Sequence, residues 1–311
     1  CVSSQKTIDD DPELQQNNIN YRINQSQTEL ENYNYYKAQK NLDEALVLAE
    51  KTDNKKSIGI IYAIKGKLQL IIEEQDKAIK SLTKAIEVQR LINDNQNLGK
   101  SYKIFGDVYM AKKNYYSALD SYTAAKSKFE EENLNPELAD VLLSEGKTYL
   151  ALKNYKKARD VIEQSLALAK KEEILKTQSD ALIYNSIVYS NLNNNEKALT
   201  YASEGVKIAK TYNYISILSN GYFVLSDIYN SNENYKTSRD YLNLHVMLTD
   251  SLENLKRANS SKDQETQYLL NDALEKNSKI VEKLNKAEDD KNLNTLISIL
   301  SVALITILSL L

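Results

Sequence analysis

The chain has 311 residues, 42% of them hydrophobic and 27% charged, which fits neither a wholly disordered chain nor one that crosses a membrane many times. Forty Lys and Arg against 43 Asp and Glu leave a net charge of −3, so no overall field draws this portion of the protein to nucleic acid. One Cys excludes an internal disulfide and a Cys-rich metal site, and one His (His245) leaves little room for a His-based catalytic or zinc constellation.

Seven Gly and two Pro are too few turn formers for a many-stranded β fold, so we expect an all-α chain, with no enzymatic activity and no cofactor. Residues 1–13 read as a flexible polar tether. Its Cys1, followed by Val2, Ser3 and Ser4 and then by Asp9, Asp10 and Asp11, resembles the start of a mature bacterial lipoprotein, in which the Cys carries the lipid. The plain alternative is a boundary that happens to fall on a Cys.

From residue 14 to residue 250 one pattern recurs with a period of 40. Ala38, Ala78, Ala118, Ala158 and Ala198 form a column that Ser238 continues. Twelve residues ahead of it run Ser26, Gly66, Gly106, Gly146, Ser186 and Ser226, and seven residues behind it Ala45, Ala85, Ala125, Ser165, Gly205 and His245. Fixed periods of this size indicate a solenoid. Each unit holds two apolar-periodic stretches separated by a polar turn such as Lys113-Asn114-Tyr115 or Asn193-Asn194-Asn195. Asn accepts the left-handed conformation and caps helices, so these turns are expected to join two helices tightly. The small residues are expected to face one another, letting the two backbones approach. Tyr109, Tyr149, Tyr189 and Tyr229 recur in another column and are read as packing residues, as is His245.

These columns resemble the tetratricopeptide repeat. The best match is Tyr102, Gly106, Tyr109, Tyr115, Ala118, Tyr122 and Ala125, followed by Leu142, Gly146, Tyr149, Tyr155, Ala158, Ile162 and Ser165. The resemblance implies an α-solenoid of six helix hairpins across 14–250, the outer two degenerate. The family period is about 34 residues, so the longer period here is expected to lengthen both the helices and the connections between repeats. It also implies a protein or peptide ligand in a concave groove lined by the first helix of each hairpin. That wall would carry Lys100, Lys103, Asp107, Lys147, Asp180, Asn191, Asn220, Asp227 and Asn230. The Lys and Asn clamp by which some relatives hold a C-terminal carboxylate is not reproduced, since Asp107 stands where Asn would be needed. The bland alternative is that these polar side chains are simply solvated.

Residues 251–292 lack Gly and Pro and alternate in charge, as expected of a juxtamembrane helix. Leu270, Ala273, Asn277, Ile280, Leu284 and Ala287 make a short heptad seam that could pair two copies through 264–292, Asn277 being a residue that favours two strands; a single solvated helix is the alternative. Residues 293–311 include TLISILSVALITILSLL, uncharged and without a helix breaker. As a helix this run covers about 25 Å, close to a bilayer core of about 30 Å, and is expected to span a membrane and to continue into further chain.

Repeats, charged helix and single span, in that order, resemble a family of one-span signalling proteins of Bacteroidetes, as does Leu248-Thr249-Asp250-Ser251-Leu252 at the exit of the array. The resemblance implies a sensor in the bacterial envelope, held in the inner membrane with its repeats in the periplasm. Its output would be a helix-turn-helix regulator or a histidine kinase outside these 311 residues. The alternative is a membrane-tethered scaffold that assembles envelope proteins.

Overall fold

A computed structural model describes residues 12–289. Twelve helices follow in chain order: α1 (Pro12–Glu31), α2 (Tyr35–Lys51), α3 (Lys55–Ile71), α4 (Gln75–Leu91), α5 (Asn95–Ala111), α6 (Tyr115–Glu131), α7 (Asn135–Ala151), α8 (Tyr155–Lys171), α9 (Leu175–Asn191), α10 (Asn195–Thr211), α11 (Ile215–Ser231) and α12 (Tyr235–Asp289). Among the described residues there is no strand.

Every connection has the same construction. Each helix ends on a residue with positive φ, at Tyr33, Asp53, Glu73 and so on to Glu233, all between 47° and 63°. In the turn after α5, Asn114 N–H donates to Tyr109 O at 2.8 Å and Lys113 N–H to Met110 O at 2.9 Å. This pair of bonds satisfies carbonyls that the helix end would otherwise leave open. The sequence suits Asn to these turns both for left-handed backbone and for capping; Asn193 takes the left-handed position, whereas in the turns that hold Asn114, Asn154 and Asn234 it falls one residue earlier, on Lys113, Lys153 and Glu233. Asn114, Asn154 and Asn234 act as N-caps: their side chains accept from the backbone N–H of Ser117, Lys157 and Thr237 at 3.3–3.4 Å.

The connections are also shorter than expected. Helices α2 to α11 have 17 residues each, and three-residue turns join them both within and between hairpins. The longer period therefore lengthens the helices alone. Two half-units of equal length stack into two layers. Each odd-numbered helix packs on the next odd-numbered one, while the even-numbered helices of neighbouring hairpins stand further apart and meet through long side chains, as Lys170 of α8 meets Glu204 of α10 at 3.5 Å. The odd helices thus line the inner, concave side.

The small-residue columns pack differently from the expectation of small against small. Ala38, Ala78, Ala118, Ala158 and Ala198 are fully buried. The glycines, however, are covered by large side chains of the second helix: a Cβ at Gly66, Gly106 or Gly146 would lie 2.5, 2.4 or 2.3 Å from Leu82, Tyr122 or Ile162. Close approach of small to small occurs later, where Ser186 Oγ donates to Ala198 O at 2.7 Å and Ser226 and Ser238 hydroxyls lie 3.1 Å apart. The physical reason is size compensation: a glycine leaves a hole that the facing Leu, Tyr or Ile fills, as close packing requires.

The last helix, α12, has 55 residues. It is at once the second helix of the sixth hairpin and the charged helix, with no break at the 250/251 boundary read from the sequence. Beyond the hairpin it reaches the first one: Asn259 Nδ2 donates to Asn32 O at 2.7 Å, and Lys256 Nζ lies 5.7 Å from the centre of the Tyr33 ring. Of the 1–13 tether, Pro12 and Glu13 open α1, where Pro suits the first helical position, while residues 1–11 with Cys1, and the 293–311 run, lie outside the described residues. Leu270, Asn277, Ile280 and Leu284 fall on α12, with side chains outside the described ones. Among the described residues no helix is long and apolar enough to cross a membrane.

Candidate functional site

The concave face holds an open depression of about 420 Å³ between α3, α5 and α7. Ile60, Ala63, Ile64, Leu70, Ile71 and Ile104 give it an apolar floor, and Lys67, Asn97, Lys100, Lys103, Asp107, Glu137 and Asp140 a charged rim. Three of the sequence-derived candidates, Lys100, Lys103 and Asp107, therefore meet in one place.

Their electrostatics divide them. Lys103 Nζ lies 3.0 Å from Asp107 and 3.2 Å from Asp140. Burial pulls its pKa down, but the two carboxylates outweigh burial and the net shift is upward. Asp107 also accepts from the Tyr122 hydroxyl at 2.8 Å, and burial, then Asp107, push that phenol well above its ordinary value. Lys103 and Asp107 are thus spent in knitting α5, α6 and α7 together. Lys147 is engaged likewise: it lies 2.7 Å from Asp180 and 4.3 Å from the centre of the Tyr184 ring. Burial lowers its pKa, and Asp180 more than compensates.

Lys100 is looser, 3.7 Å from Glu137 and nearly half exposed. Lys67 is exposed and among the described residues has no acidic partner. These two cations remain for a ligand. The other candidates do not converge on the depression. Asn191 donates to Ile187 O of its own helix at 2.8 Å, and Asn220, Asp227 and Asn230 lie apart on α11, the last two exposed.

Sequence reasoning missed Lys67, the isoleucine floor, and the acids Glu137 and Asp140. Two of these acids follow their lysine by the same interval: Lys100 with Glu137 and Lys103 with Asp140 are each 37 residues apart. Asn95 with Glu132 and Asn135 with Glu172 repeat that interval in hydrogen bonds of 3.1 and 2.9 Å. A charge correlation at one period less one helical turn would have exposed it.

The tyrosine columns pack at the edges of neighbouring helices. Tyr189 stacks on Tyr201 at 5.4 Å and donates to Glu163 at 2.7 Å, a bond that, with burial, pushes its pKa up to about 12. His245 Nδ1 lies 2.9 Å from Ser219 O, and its ring lies 5.3 Å from that of Phe223, so the only His packs α12 on α11. Among the described residues no three His, Cys, Asp or Glu side chains are grouped to hold a metal.

Six hairpins stacked with an inner layer of first helices, glycine and alanine in fixed columns, make the comparison with known proteins direct. Residues 99–171 match the tetratricopeptide repeat family. The array is tetratricopeptide-like. No curated protein matches the chain. Among solved structures, the chain resembles a STAND signal transduction ATPase with a tetratricopeptide repeat sensor from Pyrococcus horikoshii, at 22% identity and a TM-score of 0.60. That match covers 78% of this chain but only 38% of the ATPase. Aspartyl phosphate phosphatase F from Bacillus subtilis is similar at 16% identity and a TM-score of 0.56, over 85% of this chain and 74% of that one. Pseudomonas aeruginosa pilF is similar at 17% identity and a TM-score of 0.54, over 77% and 96%. At these identities the likeness concerns the tetratricopeptide-like fold.

Proposed function

We propose that the array is a protein-interaction module without catalytic activity, and that it binds a peptide segment of a partner in the depression between α3, α5 and α7. The observation that carries this reading is the isoleucine floor beside Lys67, which has no acidic partner among the described residues, and Lys100, paired only loosely with Glu137. An apolar side chain would be desolvated on the floor while a neighbouring carboxylate meets the rim, and the net gain comes mainly from the buried apolar area. In the same reading the array faces the periplasm as the sensor of a one-span signalling protein. Residues 293–311 form the span, α12 links array to membrane, two copies pair through 264–292, and the output lies outside these residues. A tethered scaffold is the second reading. It is favoured by apolar side chains left exposed on the last hairpin, Leu242, Val246 and Met247.

The test is a selection of random peptides on the full chain in detergent, followed by affinity measurements. Lys67→Glu, Lys100→Glu and Ile104→Ala are each expected to weaken selected peptides about tenfold, equivalent to about 1.4 kcal/mol. Lys80→Glu, on the exposed side of α4, should leave affinity unchanged. Peptides indifferent to all three groove substitutions would refute the site.

A further inference from the structure

A solenoid of hairpins is soft along its arc. Each hairpin touches its immediate neighbours, and overall curvature is the sum of small rotations at each interface. In this array, hairpins one to six follow that rule at every interface but one. Among the described residues, the packing of α12 on α2 is the sole contact between helices of non-adjacent hairpins. It joins the sixth hairpin to the first and acts on the sum of all the intervening rotations at once.

The chemistry of the contact is specific and light. Asn259 donates its side-chain N–H to the backbone carbonyl of Asn32, which stands in the turn between α1 and α2. One helical turn earlier, Lys256 places its ammonium over the ring of Tyr33, the residue that holds the positive φ of that turn. Lys256 is exposed and Asn259 half-buried, and neither belongs to a buried apolar cluster, so the closure can open without uncovering a core. The stretch that makes it lies beyond the hairpin, on a helix that continues without interruption to Asp289.

We propose that α12 from Glu253 to Ser260 is a strap that closes the arc of the array on its first hairpin, so that the curvature of the concave face and the position of the outgoing helix are one coupled variable. The depression between α3, α5 and α7 lies inside the closed arc, so any occupant that spreads those helices works against the strap. By linkage, release of the strap changes the affinity for that occupant by the same factor. Closure is a property of the array and holds whatever the groove binds.

The experiment uses the full chain in detergent with Cys1→Ser as background. Asn32→Cys combined with Asn259→Cys is expected to cross-link under mild oxidation. Spin labels at Val47→Cys on α2 and Lys207→Cys on α10, both exposed, should give one narrow distance. Lys256→Ala with Asn259→Ala should lengthen and broaden that distance while the helical circular dichroism stays the same. Failure to cross-link, or the same distance distribution with and without the two side chains, would overturn the strap.

Discussion

The fourth and sixth hairpins carry the same pattern and meet different fates. Ile162 and Leu166 of α8 are 0% and 6% exposed, held between α7 of their own hairpin and α9 of the next. Leu242 and Val246 occupy the same register on α12 and are 41% and 46% exposed. The other end mirrors this: Ile61 of α3 is fully buried, whereas Tyr21, one period earlier on α1, is 62% exposed. Burial in this molecule is conferred by the neighbouring hairpin, the following one for Leu166 and the preceding one for Ile61, and not by the residue. An apolar side chain at a fixed register is core in the middle and surface at the ends.

The largest effect that could break this comparison is a pair of truncations. Ile162→Ala is expected to cost about 3–4 kcal/mol of stability, the range for a large-to-small change in a closed core. Leu242→Ala should cost under about 1 kcal/mol, since little surface is removed from water there. Urea midpoints measured on both variants decide it, and equal losses would mean that α12 is covered in solution.

The middle of the array has a second distinguishing mark in Tyr122. Tyr122→Phe should cost about 1–2 kcal/mol at neutral pH through the lost bond to Asp107. The buried phenol is held neutral in the fold, so the protein should keep this stability below the unfolded phenol's ordinary pKa near 10 and lose it as pH rises above. Lys103, whose folded pKa is also raised, adds a loss in the same alkaline direction. Thermal melts from pH 8 to pH 11 should therefore fall less steeply for the Phe variant than for the parent.

The smallest effect concerns the turns, in which middle and ends agree. Lys113 and Lys153 both stand at φ 58°. Glycine adopts that conformation without the Cβ penalty, so Lys113→Gly should stabilise by about 0.5–1 kcal/mol. Lys153→Gly should match it, and a loss at either site would show that the side chain contributes more than its backbone strain.

Much of this was legible beforehand, for physical reasons. Column Ala38 to Ala198 announced the hairpins because only a small residue fits where two helices cross. Asn114, Asn154 and Asn234 announced helix starts because an N-cap needs a short acceptor. Pairing between columns was not legible: nothing local says that Gly106 is filled by Tyr122, since the partner depends on how one helix is turned against the other. Of the groove, Lys100, Lys103 and Asp107 were found by position, but which lysine is free depends on acids one hairpin further on. The return of α12 to Asn32 depends on rotations accumulated over 227 residues of separation, and no pattern in the chain encodes it directly.

The uniform turns carry a consequence for how such a chain can change length. Because connections within and between hairpins are alike, a duplication or loss of 40 residues would leave every surviving joint intact. Stacking alone sets no preferred copy number. Contact between α12 and Asn32 does, because one hairpin more or fewer would carry the outgoing helix past its anchor. In this chain the count of hairpins is tied to where the two ends meet, as the number of staves in a barrel is tied to its hoop.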